Sequence, residues 1–329
     1  MDIPTWVWWV TIGVTTTLLL VDVFVIGRRP HEPSMKEVVV ALAGYVGMAV
    51  LFGLGVWYFA GGQYGGEFFA GWLTEYSLSI DNLFVFIIIM SKFQVPRQYQ
   101  QTALMVGIVL ALLMRGVFIA VGAAAINNFS WIFYIFGAFL VYTAVKLAKE
   151  GGEDEEEFEE NRLIRWIEQR FPATKEYHGS KLVIREDGRR LITPMLIVML
   201  ALGTTDLLFA LDSIPAIYGL TKEPYLVLTA NIFALMGLRQ LYFLIGGLLK
   251  RLVYLSYGLA VLLGFIGVKL VLHALHENEL PFVNGGEHVE WAPDIPISVS
   301  LGVIVGILAV TTVASLVASR RRERQRTGV

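Results

Sequence analysis

Long apolar runs separated by short polar connections dominate the chain, and their lengths predict membrane-spanning helices. A bilayer core demands about 20 apolar residues per helix. Nine stretches meet that length: 6–26, 38–60, 67–90, 102–124, 129–149, 194–219, 226–249, 254–275 and 297–318. The first has no basic residues ahead of it and no clear small-residue cleavage site, so it reads as a retained helix and not a signal peptide. The expected fold is therefore an all-α polytopic membrane protein with about nine transmembrane helices.

Charges in the connections set the expected orientation. Arg28, Arg29 and Lys36, then Lys92 and Arg97, then the 150–193 segment, then Lys250 and Arg251, and finally Arg320, Arg321, Arg322, Arg324 and Arg326 all fall on one side. The opposite connections carry few Lys or Arg. By the positive-inside bias the N-terminus is outside and the C-terminus cytoplasmic. The 150–193 segment holds an acidic run from Glu153 to Glu160, a short amphipathic helix from Arg162 to Phe171, and a β-hairpin from Lys181 to Ile192 about Asp187-Gly188.

Three consecutive spans recur. The first of each set carries an acidic pair six residues apart, Glu75 and Asp81 in one and Asp206 and Asp212 in the other. The second carries Arg115 or Arg239, and the third Lys146 or Lys269. Because three is odd, the second set crosses the membrane in the opposite sense, which is the inverted-repeat arrangement of secondary transporters. The chain then divides into 1–66 (two helices), 67–149 (first repeat), 150–193 (cytoplasmic linker, helix and hairpin), 194–275 (second repeat) and 276–329 (external loop, last helix and basic tail).

Composition narrows the chemistry. The chain is 56% hydrophobic with net charge -2, so no global field points to nucleic acid. It contains no cysteine, which removes disulfides and thiolate sites. Nothing resembles a nucleophile–base constellation or a nucleotide loop, and no enzyme is expected. A carboxylate at bilayer depth costs roughly 2.5–3.5 kcal/mol on insertion scales, and this chain places four in its spans.

Glu75-Tyr76-Ser77-Leu78-Ser79-Ile80-Asp81-Asn82, Phe209-Ala210-Leu211-Asp212-Ser213-Ile214-Pro215-Ala216 and Asn231-Ile232-Phe233-Ala234-Leu235-Met236-Gly237-Leu238-Arg239 resemble signature regions of the TerC/Alx integral membrane family. The likeness covers roughly 10–320. It implies a multi-pass protein of the bacterial inner membrane that transports a metal ion. The family is linked to manganese export and, by name, to tellurium resistance. Mn²⁺ is the favoured cargo; Ca²⁺ and Mg²⁺ share its preference for oxygen ligands. No resident cofactor is expected, the partners are lipid and metal ion, and the oligomeric state is open. A membrane scaffold or assembly factor, or a tellurite-resistance component without ion transport, is the competing reading.

Asp81, Asn82, Asp212, Ser213 and Asn231 are the candidate ligands, with Asp81 and Asp212 converging on one ion. Pro215 has no N–H for the Leu211 carbonyl, which adds a further oxygen. Glu75 and Asp206 sit about 120° round the helix from the aspartates and are assigned to the access path or to proton carriage. Arg115, Arg239, Lys146 and Lys269 balance the four acids one for one; a set of structural ion pairs would have the same balance. His273, His276, Glu277, His288, Glu287 and Glu290 mark the outer end, where interfacial pairing competes with weak cation binding.

Overall fold

A computed structural model of the chain describes residues 3–28, 34–129, 131–150, 174, 176–186, 189–245, 254–278, 280–281 and 283–327. The helices are α1 (Thr5–Arg28), α2 (Met35–Ala60), α3 (Gly62–Lys92), α4 (Arg97–Asn128), α5 (Ile132–Glu150), α6 (Pro194–Tyr218), α7 (Pro224–Met236), α8 (Leu238–Ile245), α9 (Leu255–His276) and α10 (Ile297–Thr327). Among the described residues, eight helical segments are long and apolar enough to cross a membrane, α7 and α8 together forming one of them. The remaining long helix, α1, has 24 residues, about 36 Å at the α-helical rise. Helices are what such sequences must form in lipid, because each backbone N–H and C=O then finds its partner within its own segment.

Local chemistry places several boundaries. Ser34 and Glu37 form a reciprocal capping box at the start of α2. Gly61, at φ 103°, turns the chain between α2 and α3 in a conformation that favours glycine. Pro194 and Pro224 open α6 and α7 at first-turn positions, where the missing N–H costs no helical bond. The expected seventh span is interrupted at Gly237, between α7 and α8; its residues 246–249 lie outside the described part.

Close approaches at small residues hold the bundle. Gly137 of α5 and Gly267 of α9 face each other, so that a Cβ on either would lie 2.9 Å from the other's carbonyl oxygen. Gly107 of α4 rests on Leu202 of α6, and Gly71 of α3 on Ala230 of α7. Thus α5 pairs with α9, α4 with α6, and α3 with α7. On the flank, α1 docks against α7, where Thr11 hydrogen-bonds Tyr225 at 2.7 Å and Trp8 meets the same ring edge-on.

The connections gather at two ends. At the Gly61 end, Thr221 donates to Glu67, Lys222 to Glu277, and Tyr134 to Asn278. At the Phe93 end, the Tyr177 hydroxyl donates to the Phe93 carbonyl at 2.7 Å and Tyr242 to Gln100 at 3.2 Å. There, Val183–Glu186 (β1) and Arg189–Ile192 (β2) pair antiparallel with Glu186 opposite Arg189. The expected turn residues Asp187 and Gly188, the acidic run and the 162–171 helix lie outside the described residues.

Candidate functional site: a buried arginine shared by two carboxylates

Arg115 is the largest fully buried side chain among the described residues. A lone guanidinium there would carry an uncompensated charge in a low-dielectric interior, so its partners define the site. Three helices supply them. From α6, Asp206 accepts two bonds, from Nε at 3.2 Å and from Nη2 at 3.1 Å. From α7, the Asn231 Oδ1 accepts from Nη1 at 3.0 Å. From α3, Glu75 pairs with the same Nη1. The planar fork of arginine suits this simultaneous two-sided engagement, which a lysine could not reproduce.

Two carboxylates share one guanidinium, so with both ionised the group keeps one net negative charge. Nδ2 of Asn231, and on the same helices α3 and α6 the Thr74, Ser79 and Ser213 hydroxyls, are buried without hydrogen-bond partners among the described residues. Buried polar groups are normally satisfied by protein, water or an ion. Three hydroxyls and one amide nitrogen on the helices that hold Arg115 thus leave polar capacity in the interior for water or an ion.

The expected residues distribute differently from the sequence-based assignment. Glu75 and Asp206, assigned to the access path, are brought together on Arg115. Asn231, expected as a metal ligand, has its oxygen committed to Arg115 and turns its amide nitrogen, a donor, to the remaining space. Asp81 and Asp212, expected to converge, have separate surroundings. α3 runs from the Gly61 end to the Phe93 end, and α6 runs the opposite way. Six residues, about 9 Å of rise, therefore carry Asp81 toward the Phe93 end from Glu75 and carry Asp212 toward the Gly61 end from Asp206. Asp212 accepts from Thr143 of α5 at 3.1 Å and feels the charge of Lys146. Asp81 makes no hydrogen bond or ion pair among the described residues. Asn82 and Ser213 are buried beside these two acids in sequence.

The one-for-one charge balance is replaced by an uneven one. Arg115 takes two acids. Arg239 instead donates to Gln101 of α4 at 3.3 Å. Lys269 is buried near the Gly61 end, where Glu67 and Asp294 are its electrostatic partners. Among the described residues, no three His, Cys, Asp or Glu side chains gather closely enough to hold a metal ion together. A divalent ion here would thus take one or two carboxylates and complete its shell with hydroxyls, carbonyls and water, as hard cations do.

Sequence reasoning missed Glu67, which is buried and accepts from Gln63 at 3.1 Å and from Thr221 at 2.6 Å. It stands at the first residue of the 67–90 span. Its signal was the seven-residue spacing to Thr74 and Asp81. His273 lies between Glu277 and Asp294, while ring nitrogens of His276 and His288 meet the carbonyls of Ala292 and His276. Glu277 itself is held below the usual carboxylate range: partial burial pushes it up, but the Lys222 hydrogen bond and neighbouring positive charges outweigh that.

Residues 60–323 match the model of the Integral membrane protein TerC family. An uncharacterized membrane protein of Mycobacterium bovis is 49% identical over 321 residues, 96% of this chain and 80% of its own length. An uncharacterized membrane protein of Myxococcus xanthus is 38% identical over 309 residues, 94% of this chain and 91% of its own. In Escherichia coli K12, a protein named Alx and provisionally described as a membrane-bound redox modulator is 35% identical over 324 residues, 96% of this chain and 95% of its own. No solved structure matches the chain.

Proposed function

The chain belongs to the TerC family of integral membrane proteins, and we propose that it carries a divalent metal ion, Mn²⁺ favoured, across the bacterial inner membrane. The Phe93 end and the C-terminus face the cytoplasm in this reading, and the N-terminus faces outside. The observation that carries the proposal is the buried Glu75–Arg115–Asp206 group with Asp81 and Asp212 displaced to either side of it. A purely structural ion pair needs one acid per base. Here there is an excess of carboxylate, spread along the depth of the membrane, on helices that also carry buried hydroxyls without partners among the described residues.

Asp81 is the receiving acid on the cytoplasmic side, with Asn82 beside it. Asp212, steadied by Thr143, is the acid on the outer side, with Ser213 and the Leu211 carbonyl next to it. Between them Arg115 acts as a tethered cation on Glu75 and Asp206. An ion passing this level competes with the guanidinium, and a proton moving the other way keeps the charge in balance. The exchange of partners between the two sets, α4 with α6 and α3 with α7, and the mutual pairing of α5 with α9, supports an inverted three-helix repeat. The 329 residues offer no thiol for a disulfide relay; an influence on redox state would follow from metal supply.

Everted membrane vesicles test this. Wild-type protein is expected to drive Mn²⁺ accumulation that depends on the pH gradient, and Asp81→Asn to abolish it. Accumulation indifferent to the gradient removes proton coupling. No accumulation, together with capture of nascent membrane proteins, favours the scaffold reading instead.

A further inference from the structure

Glu67, Thr74 and Asp81 lie seven residues apart along α3. Two turns separate successive members, about 10.5 Å of rise with about 20° of drift, so the three form one oxygen-bearing column, about 80–120° round the helix from Arg115's direct partner Glu75. Each member is unusual. Glu67 is buried, with both carboxylate oxygens hydrogen-bonded, to Gln63 and to Thr221. Thr74 is fully buried and its hydroxyl has no partner among the described residues. Asp81 has no hydrogen bond or ion pair there. At the top of the column, Lys269 of α9 is buried within electrostatic reach of Glu67 and of Asp294 in the 277–296 loop.

We propose that this face of α3 lines the α3 side of the ion's path from Asp81 past the Arg115 level toward the Gly61 end, and that Glu67 and Lys269 form its outer charge gate. The inference rests on the transport reading above and adds to it a route and a gate. Lys269 is a buried amine within electrostatic reach of the last carboxylate. It prevents Glu67 from acting as an open cation site to the outside, and it is displaced or screened when a divalent ion arrives from Thr74. Glu67 in turn supplies the final protein oxygen before water, and Thr221 keeps that oxygen aimed at the exit.

The absence of cysteine makes the test clean. Thr74→Cys introduces a single thiol of similar size at mid-column. In reconstituted protein, trimethylammonium-ethyl methanethiosulfonate added on the Glu67 side is expected to label it slowly, and Mn²⁺ to protect it. Adding Lys269→Met is expected to raise the labelling rate and to lower the Mn²⁺ KM measured from that side, each by about tenfold, the effect of removing one nearby charge. Glu67→Gln keeps one acceptor oxygen for Gln63 and offers an amide N–H that the Thr221 hydroxyl can accept, and is expected to raise the same KM while the protein elutes as the wild type does. No labelling in either background, or labelling and KM unaffected by Lys269→Met, overturns the gate. If Mn²⁺ flux persists in that case, the transport reading stands without it. If labelling responds as expected but wild-type protein moves no Mn²⁺, the conduit stands and the cargo assignment fails.

Discussion

Replacing Arg115 by methionine keeps most of the side-chain volume and removes the two bonds to Asp206, the bond to Asn231 and the pairing with Glu75. Charge-assisted bonds are worth about 1.5–3 kcal/mol each, but their sum overstates the loss, because the freed carboxylates can take up protons or water. The better guide is the cost of removing one partner from a buried charged group, about 3–5 kcal/mol. At about 2–4 °C per kcal/mol for a larger protein, thermal unfolding of the detergent-purified variant should fall by roughly 6–20 °C. Because most of the penalty comes from two orphaned carboxylates, the triple variant Arg115→Met, Glu75→Gln, Asp206→Asn should regain most of the loss. Tryptophan fluorescence during heating, with size-exclusion chromatography, reads both. A single variant within about 2 °C of wild type, or a triple variant less stable than the single, would refute the view that Arg115 is held by these acids.

Three further outcomes follow from other parts of the molecule. Gly137→Leu should separate α5 from α9, since even a Cβ there meets the Gly267 carbonyl at 2.9 Å; overpacking of about 1–3 kcal/mol or more should appear as a lower Tm, while Gly116→Leu, where the space is open, should not. Tyr177→Phe removes the bond to the Phe93 carbonyl, and burial pushes that phenol up to about 12. A raised folded-state value means the tie is intact below the ordinary tyrosine value near 10 and is lost as pH climbs through about 12; limited proteolysis of the 174–193 segment should speed up over that window, and at neutral pH in the variant. Glu277 has a depressed value, so the tie to Lys222 is present above the ordinary carboxylate range and is lost as pH falls through the folded value; hydrogen exchange of the 277–296 loop should rise on acidification, and less so in Glu277→Gln.

Much of the membrane architecture was legible in the chain because apolar length answers directly to bilayer thickness. The break at Gly237 was not, because a glycine within an apolar run carries no signal of whether the helix continues. The four acids stood out for a simple reason: charge in such runs is costly. Which acid meets which base was a different matter. It depends on how far each helix is rotated and slid, and those are set by contacts such as Gly107 on Leu202 and Gly71 on Ala230 that periodicity does not reveal. Hence Arg115 serves both Glu75 and Asp206, Arg239 turns to Gln101, and Lys269 has Glu67 within electrostatic reach. Matching the aspartates by position in the two sets suggested a meeting point; the opposite directions of α3 and α6 instead carry them apart from the Arg115 level.

Flux through purified protein is the most direct measurement of the central claim. Proteoliposomes loaded with a Mn²⁺-sensitive dye should report rapid entry with wild-type protein, and none above empty liposomes with Asp81→Asn or Asp212→Asn that still elute as folded protein. Full activity in both variants, or no entry with the wild type, would contradict the account.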